Sequence, residues 1–338
     1  MTALSRARGA LWSLALGDAL GMPTQNLPRA FVRARYGLLG GFQPGPAENE
    51  ISAGLPAGRV TDDTDQALIL GRLLVAGGGH VAPRAFADAL LDWERRMREA
   101  GSHDLLGPST SRALALAAEG VPPDQTGRHG TTNGAAMRIA PLGIAVPAEP
   151  VGALVDAVEE STIVTHHTGL AIAGAAAVAA AVSAGVSGAG PAAARAVAVE
   201  AARLGQSRGE WAAGPSVAAR IAWAVDLVAG CDPAEALERI DDLVGTSVAT
   251  QESVPAAFAV AALFPADPWN ATRHAASLGG DSDTIAAIAG AIAGAAAGVE
   301  AIPVAALAEL AAANPGLGVD ALAGELLALR EAAAEAAR

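Results

Sequence analysis

Nowhere in these 338 residues does an apolar and polar alternation of period two persist, and the β-branched residues are scattered among alanines. What recurs instead is a helical pattern with clear starts and stops. "CDPAEALERI" offers Asp232 as an N-cap with Pro233 at the first helical position, and "ADPWNATRHAASLGG" repeats the device with Asp267 and Pro268 before closing on glycines. An all-α fold is expected, with helices over residues 4–20, 64–77, 168–185 and 284–298 among others. Apolar residues make up 52% of the chain and aromatic residues only 3%, so Ala, Val and Leu must fill the core and the helices must approach closely. Residues 21–60 and 121–148 escape the pattern and read as long irregular segments, which in a compact domain are usually functional or disordered.

Charge narrows the partners. A formal net charge of −13 excludes a general nucleic-acid binder, whose affinity comes from neutralising phosphates, and an anionic ligand would need local positive charge such as a metal ion. Cys231 is the only cysteine, so no disulfide framework and no thiolate metal site is expected; this fits a reducing, cytoplasmic address. Two segments imitate membrane signals. Arg6 and Arg8 precede "GALWSLALG", but Asp18 follows at once and no small-x-small cleavage site ends the run. Residues 168–194 carry no charge over a membrane-spanning length, yet their Gly, Ser and Pro content and lack of a Trp or Tyr belt favour a buried helix ending near Gly185.

Two acid clusters stand out against this apolar background. "VTDDTDQALIL" brings Thr61, Asp62, Asp63 and Thr64 to the start of one apolar helix, and "GGDSDTIAAIAGAIAGA" brings Asp281, Asp283 and Thr284 to the start of another. Helix capping accounts for each cluster separately: Thr61 suits an N-cap, Ser282 or Asp281 suits the other, and first-turn carboxylates complement the helix dipole. Taken together the clusters favour a second reading. Both helices are apolar on nearly every face, so their N-termini are expected to converge inside the molecule, where four carboxylates repel one another unless cations are present. Oxygen ligands without Cys or His suit Mg²⁺ or Mn²⁺, and two such ions sharing ligands can activate a water.

The order of motifs from "GALWSLALGDALGMP" through "TDDTDQALIL", "TTNGAAMRIAPLGI", "VTHHTGLAIAGAAAVAAAV" and "ESVPAAF" to "SLGGDSDTIAAIAGAIAGA" resembles the ADP-ribosylglycohydrolase family over nearly the whole chain. That resemblance implies one compact, orthogonal all-α domain over residues 1–338, with a binuclear Mg²⁺ or Mn²⁺ site held by Thr61, Asp62, Asp63, Asp281, Asp283 and Thr284. It implies hydrolysis of the N- or O-glycosidic bond at the anomeric carbon of an ADP-ribosyl ribose, on an ADP-ribosylated protein or small molecule. Thr131, Thr132, Asn133 and Gly134 match the family's ribose and phosphate loop, and His166 matches the His of its "TH" motif. Alternatives are the same chemistry on a smaller ribosyl compound, or an ADP-ribose-binding protein that has lost activity.

One position departs from the family. Many relatives carry a Glu four residues after "GDALG", where this chain has Gln25. An amide cannot act as a carboxylate base, so the proton acceptor is expected to be a ligating acid such as Asp63, or else Glu48 or Glu50 from the nearby loop. Gln25 itself is expected to bind substrate. Asp18 reads as a buried acid that orients a ligand or caps a neighbouring helix, and Arg138 either balances phosphate charge or buttresses its loop. His166 and His167 diverge by about 100° on a helix, so one is expected to face a pocket and the other to pack or cap.

Overall fold

The computed structural model describes residues 1–102 and 106–336. The described chain is all-α: helices follow one another from Ala3–Gly21 to Val319–Ala336, and the only extended pairings among the described residues are two isolated bridges, Thr132 with Ala249 and Thr168 with Glu210. Its centre is the Gly169–Val186 helix, every residue of which is buried. This is the one described helix long and apolar enough to cross a bilayer, and the protein's own side chains surround it, as expected for a core helix.

Two further helices carry the site. Ala3–Gly21 lies against Ser282–Ala297, and their contact depends on residues without side chains. A Cβ on Gly17 would stand 2.1 Å from the Ala286 carbonyl oxygen, and one on Gly294 would stand 2.2 Å from that of Gly9. This is the close approach that a core of small residues permits. It brings the C-terminal end of one helix, where Gly21 lies against the Asp283 backbone, to the N-terminal end of the other. The Asp62–Ala76 helix starts at the same place.

The two segments read as irregular contain short helices: Arg29–Tyr36 in the first, and Pro123–Thr126, Gly134–Met137 and Ala140–Ala145 in the second. Each is too short to impose a legible period. Asn49 fixes the remainder of the first segment, donating from Nδ2 to the Gln25 carbonyl at 2.6 Å and accepting the Ile51 and Ser52 amides on Oδ1.

Candidate metal and glycoside site

The capping account meets a specific obstacle. Thr61 and Asp281 do occupy the N-cap positions of their helices, but neither side chain makes a capping hydrogen bond. The free end of the Asp62–Ala76 helix is satisfied from elsewhere in the fold. Asp18, fully buried on the N-terminal helix, accepts the Thr61 amide at 2.9 Å and the Thr64 amide at 3.1 Å, and both threonine hydroxyls, at 2.7 and 2.5 Å. One carboxylate thus does the work expected of the local cap, the capping of a neighbouring helix that was one of the two roles read for it. Burial raises Asp18 to about 6, with the four donors pulling the other way.

The second cluster is held by its backbone. Gly279 and Gly280 adopt φ of 77° and 62°, and only glycine fits there easily. The Gly280 amide donates to the Leu27 carbonyl at 2.9 Å, and the Asp281 amide to that of Thr246 at 2.7 Å. Asp281 accepts a short hydrogen bond from Asn133 Nδ2, and Asn133 is itself anchored on Ser253 Oγ at 2.9 Å. Burial raises Asp281 to about 6 as well.

Asp62, Asp63, Asp281, Asp283 and Thr284 line one cleft of about 330 Å³ with Gln25, Thr110, Thr132, Asn133 and Gly134. No cationic side chain is among the described residues lining it. Asp63 is strongly perturbed: burial first, then Asp283, Asp62, Asp18 and Asp281, push it well above the usual carboxylate range. Its Oδ2 accepts from Thr284 Oγ1 at 3.3 Å, whereas its buried Oδ1 has no protein partner. Gln25 Nε2 is likewise buried without a partner. An unpaired acceptor and an unpaired donor on the walls of one cleft are what a ligand would satisfy. Among the described residues no three His, Cys, Asp or Glu side chains form a ready-made metal cage. The donors nonetheless fit a hard divalent cation: carboxylates and hydroxyls, no thiolate or imidazole, and an orphaned carboxylate oxygen.

Three expected site residues stand behind the cleft wall. Thr61 gives its hydroxyl proton to Asp18, which leaves its oxygen lone pairs as the only donor it has to offer a cation. The Thr131 carbonyl accepts the Thr250 hydroxyl at 2.9 Å and so ties the loop to the Thr250–Leu263 helix. His166 is wholly buried, 3.0 Å from Thr132 Oγ1 through Nε2. Gly134 has no side chain because a Cβ there would lie 2.9 Å from the imidazole. His167 pairs with Glu159 at 3.0 Å, the packing role left to the second histidine.

The alternatives for loop acids and Arg138 resolve as well. Glu48 is exposed and paired with Arg35 at 2.9 Å, Glu50 is exposed, and neither lines the cleft. Arg138 is buried away from the cleft and buttresses the loop from behind. The sequence reading overlooked Gln66, which donates to Asp62 Oδ2 at 2.7 Å; its i, i+4 spacing from Asp62 was the available signal. It also overlooked Asn26, Thr110 and Val248 on the cleft wall, which lie outside every motif singled out, and Met137, which lies within "TTNGAAMRIAPLGI".

The model of the ADP-ribosylglycohydrolase family matches residues 1–336. The chain is 39% identical to the uncharacterised protein YegU of Escherichia coli K12 over 310 residues, 91% of this chain and 92% of that one. It is 32% identical to an uncharacterised Archaeoglobus fulgidus protein over 297 residues, 85% and 86% of the respective chains. Among solved structures, an ADP-ribosylglycohydrolase-related protein complex superposes with a TM-score of 0.64 at 28% identity, covering 97% of this chain and 99% of that one. The chain belongs to the ADP-ribosylglycohydrolase family and is a glycoside hydrolase of its all-α fold.

Proposed function

We propose that this glycohydrolase is metal-dependent and cleaves the N- or O-glycosidic bond between an ADP-ribosyl group and its acceptor, releasing ADP-ribose. The observation that carries the reading is the cleft itself: four aspartates on its wall, with the local cap duty taken over by Asp18 and Asp63 Oδ1 left without a protein partner. Asp62, Asp63, Asp281, Asp283 and Thr284, with the oxygen of Thr61, would hold two divalent cations, Mg²⁺ or Mn²⁺. Bound there, the cations would supply Lewis-acid polarisation of a water and of ribose hydroxyls.

The chain's own residues do the rest. Asp63 is placed as the proton acceptor, since it lines the cleft with Oδ1 free of any protein partner. Asn133, fixed by Ser253 and Asp281, and Thr132, fixed by His166, give the opposite wall a set orientation for the sugar. Gln25 offers an amide N–H where relatives offer a carboxylate, which supports binding of a ribose oxygen rather than proton abstraction. Beyond Asn26, Val248 and Asp281 the cleft continues into a hollow of about 440 Å³ bearing Arg29, room for the rest of an extended conjugate.

A second reading, a smaller uncharged riboside, is favoured by the lack of a cationic side chain on the described cleft wall. Competition separates the two. With Mg²⁺ present, ADP-ribose should raise the thermal midpoint and displace substrate, and ribose or a nucleoside should do so far less. Stronger protection by a nucleoside or ribose phosphate than by ADP-ribose would replace the first reading with the second.

A further inference from the structure

A buried cation stands behind a cleft that has none on its described wall. Arg138 is 1% exposed, stacks over Phe86 with its guanidinium carbon 4.8 Å from the ring centroid, and stays charged at neutral pH although burial lowers it to about 9. It makes two arms of hydrogen bonds. Nη1 donates to Gln66 Oε1 at 2.8 Å, and Gln66 Nε2 donates onward to Asp62 Oδ2. Nη2 donates to Thr165 Oγ1 at 2.5 Å, Thr165 Oγ1 lies 2.8 Å from His166 Nδ1, and His166 Nε2 lies 3.0 Å from Thr132 Oγ1.

The proton order along the second arm follows from satisfaction of buried groups. Thr165 is fully buried, so its hydroxyl proton needs an acceptor, and a cation donating to its oxygen turns that proton away from the guanidinium. The acceptor in reach is His166 Nδ1. Neutral His166 then carries its proton on Nε2 and donates it to Thr132 Oγ1, which leaves the Thr132 hydroxyl proton for the cleft. Every bond on both arms therefore points outward from the guanidinium.

We propose that Arg138 is a positioning residue which, through Thr165 and His166, fixes the Thr132 hydroxyl as a hydrogen-bond donor into the cleft and so selects an acceptor oxygen of the ligand at that point. This deepens the reading of the cleft as an ADP-ribosyl site, where acceptor oxygens abound, and shows how an acidic protein lends positive character to a wall that carries no cation. The same cation draws the Gln66 amide onto Asp62 and holds that carboxylate in one orientation.

The test begins on the ligand-free, metal-free protein, where the outcome does not depend on the substrate. Long-range ¹H–¹⁵N correlation spectra, with His166 assigned by its loss in His166→Asn, should show the neutral Nε2–H tautomer. A dominant Nδ1–H form in the wild type overturns the proposal whether or not any variant folds. Arg138→Lys, which keeps a cationic donor, should retain the Nε2–H form, and Arg138→Met should populate Nδ1–H. An Arg138→Met protein that stays wholly Nε2–H would show that Arg138 does not set the tautomer. The consequence is read with ADP-ribose and Mg²⁺: Arg138→Met should bind about tenfold more weakly, the worth of one well-formed hydrogen bond, and equal affinity would refute the selection step. If ADP-ribose fails to bind the wild type, it is the substrate reading that falls while the tautomer result stands.

Discussion

In the chelator-treated protein the buried acids should contribute stability that is lost as the pH rises from about 4 to 7, opposite in sign to ordinary acid denaturation. Asp18 and Asp281 each sit at about 6 in the fold against an ordinary 3.8, burial being the main cause in both. Between those values the folded protein holds protons that the unfolded chain has released, so stability falls as pH rises. The contribution is complete below 3.8 and gone once the pH has passed about 6. Together the two groups contribute on the order of a few kcal/mol. Asp63, raised further by its acid neighbours, extends the loss to higher pH. Glu238, held low by Arg29, acts in the opposite sense at and below its ordinary 4.5, and His166 and His274, both lowered chiefly by burial, oppose the trend below 6.5, so the acid contribution is read as the difference between the wild type and Asp281→Asn. Urea unfolding followed by circular dichroism at stepped pH reads the slope directly. Mg²⁺ should flatten it, because cations replace the protons, and Asp281→Asn should remove one share while keeping an oxygen for the Asn133 amide. A wild-type stability that shows no fall with rising pH relative to Asp281→Asn between pH 4 and 6 would refute the claim that Asp281 is buried without a compensating charge.

Three further outcomes are expected. Asp283→Asn should lower turnover at least about a hundredfold by weakening cation binding, while circular dichroism stays unchanged because the asparagine oxygen can still accept the Thr284 amide; full activity without cations would restore the capping account. Steady-state kinetics should show Gln25→Ala reduced severalfold and Asp63→Ala abolished, and a Gln25→Ala collapse with intact metal binding would make the amide itself essential. Gly17→Ala should cost about 3 kcal/mol in thermal unfolding, because the new methyl would stand 2.1 Å from the Ala286 carbonyl oxygen, and a neutral substitution would contradict the tight contact of the two helices.

The helices and the acid clusters were legible for physical reasons. Apolar runs of sixteen to nineteen residues without period-two alternation, as in Ala3–Gly21 and Ser282–Ala297, with Asp-Pro starts and glycine stops elsewhere, are too long for strands and leave little room for another reading. Apolar helices opening on carboxylates implied convergence, and Asp62, Asp63, Asp281 and Asp283 do line one cleft. What stayed hidden depends on contacts distant in sequence. Asp18 caps a helix more than forty positions away, so Thr61 passed for a local cap that its side chain does not make. Arg138 reaches Gln66 and Thr165 from opposite directions in the chain, and no spacing rule relates the three. Short helices such as Arg29–Tyr36 and Ala140–Ala145 show too few turns for a period, and tertiary packing alone forms them.

Calorimetric titration of the chelator-treated protein with Mg²⁺ and with Mn²⁺, at pH 7 in buffers of different ionisation enthalpy, tests the central claim most directly. Crowded acids that serve as ligands should take up two cations per chain and release a proton, chiefly from Asp63, as they bind. Absence of binding to either ion at millimolar concentration, or binding with no proton released, would contradict it.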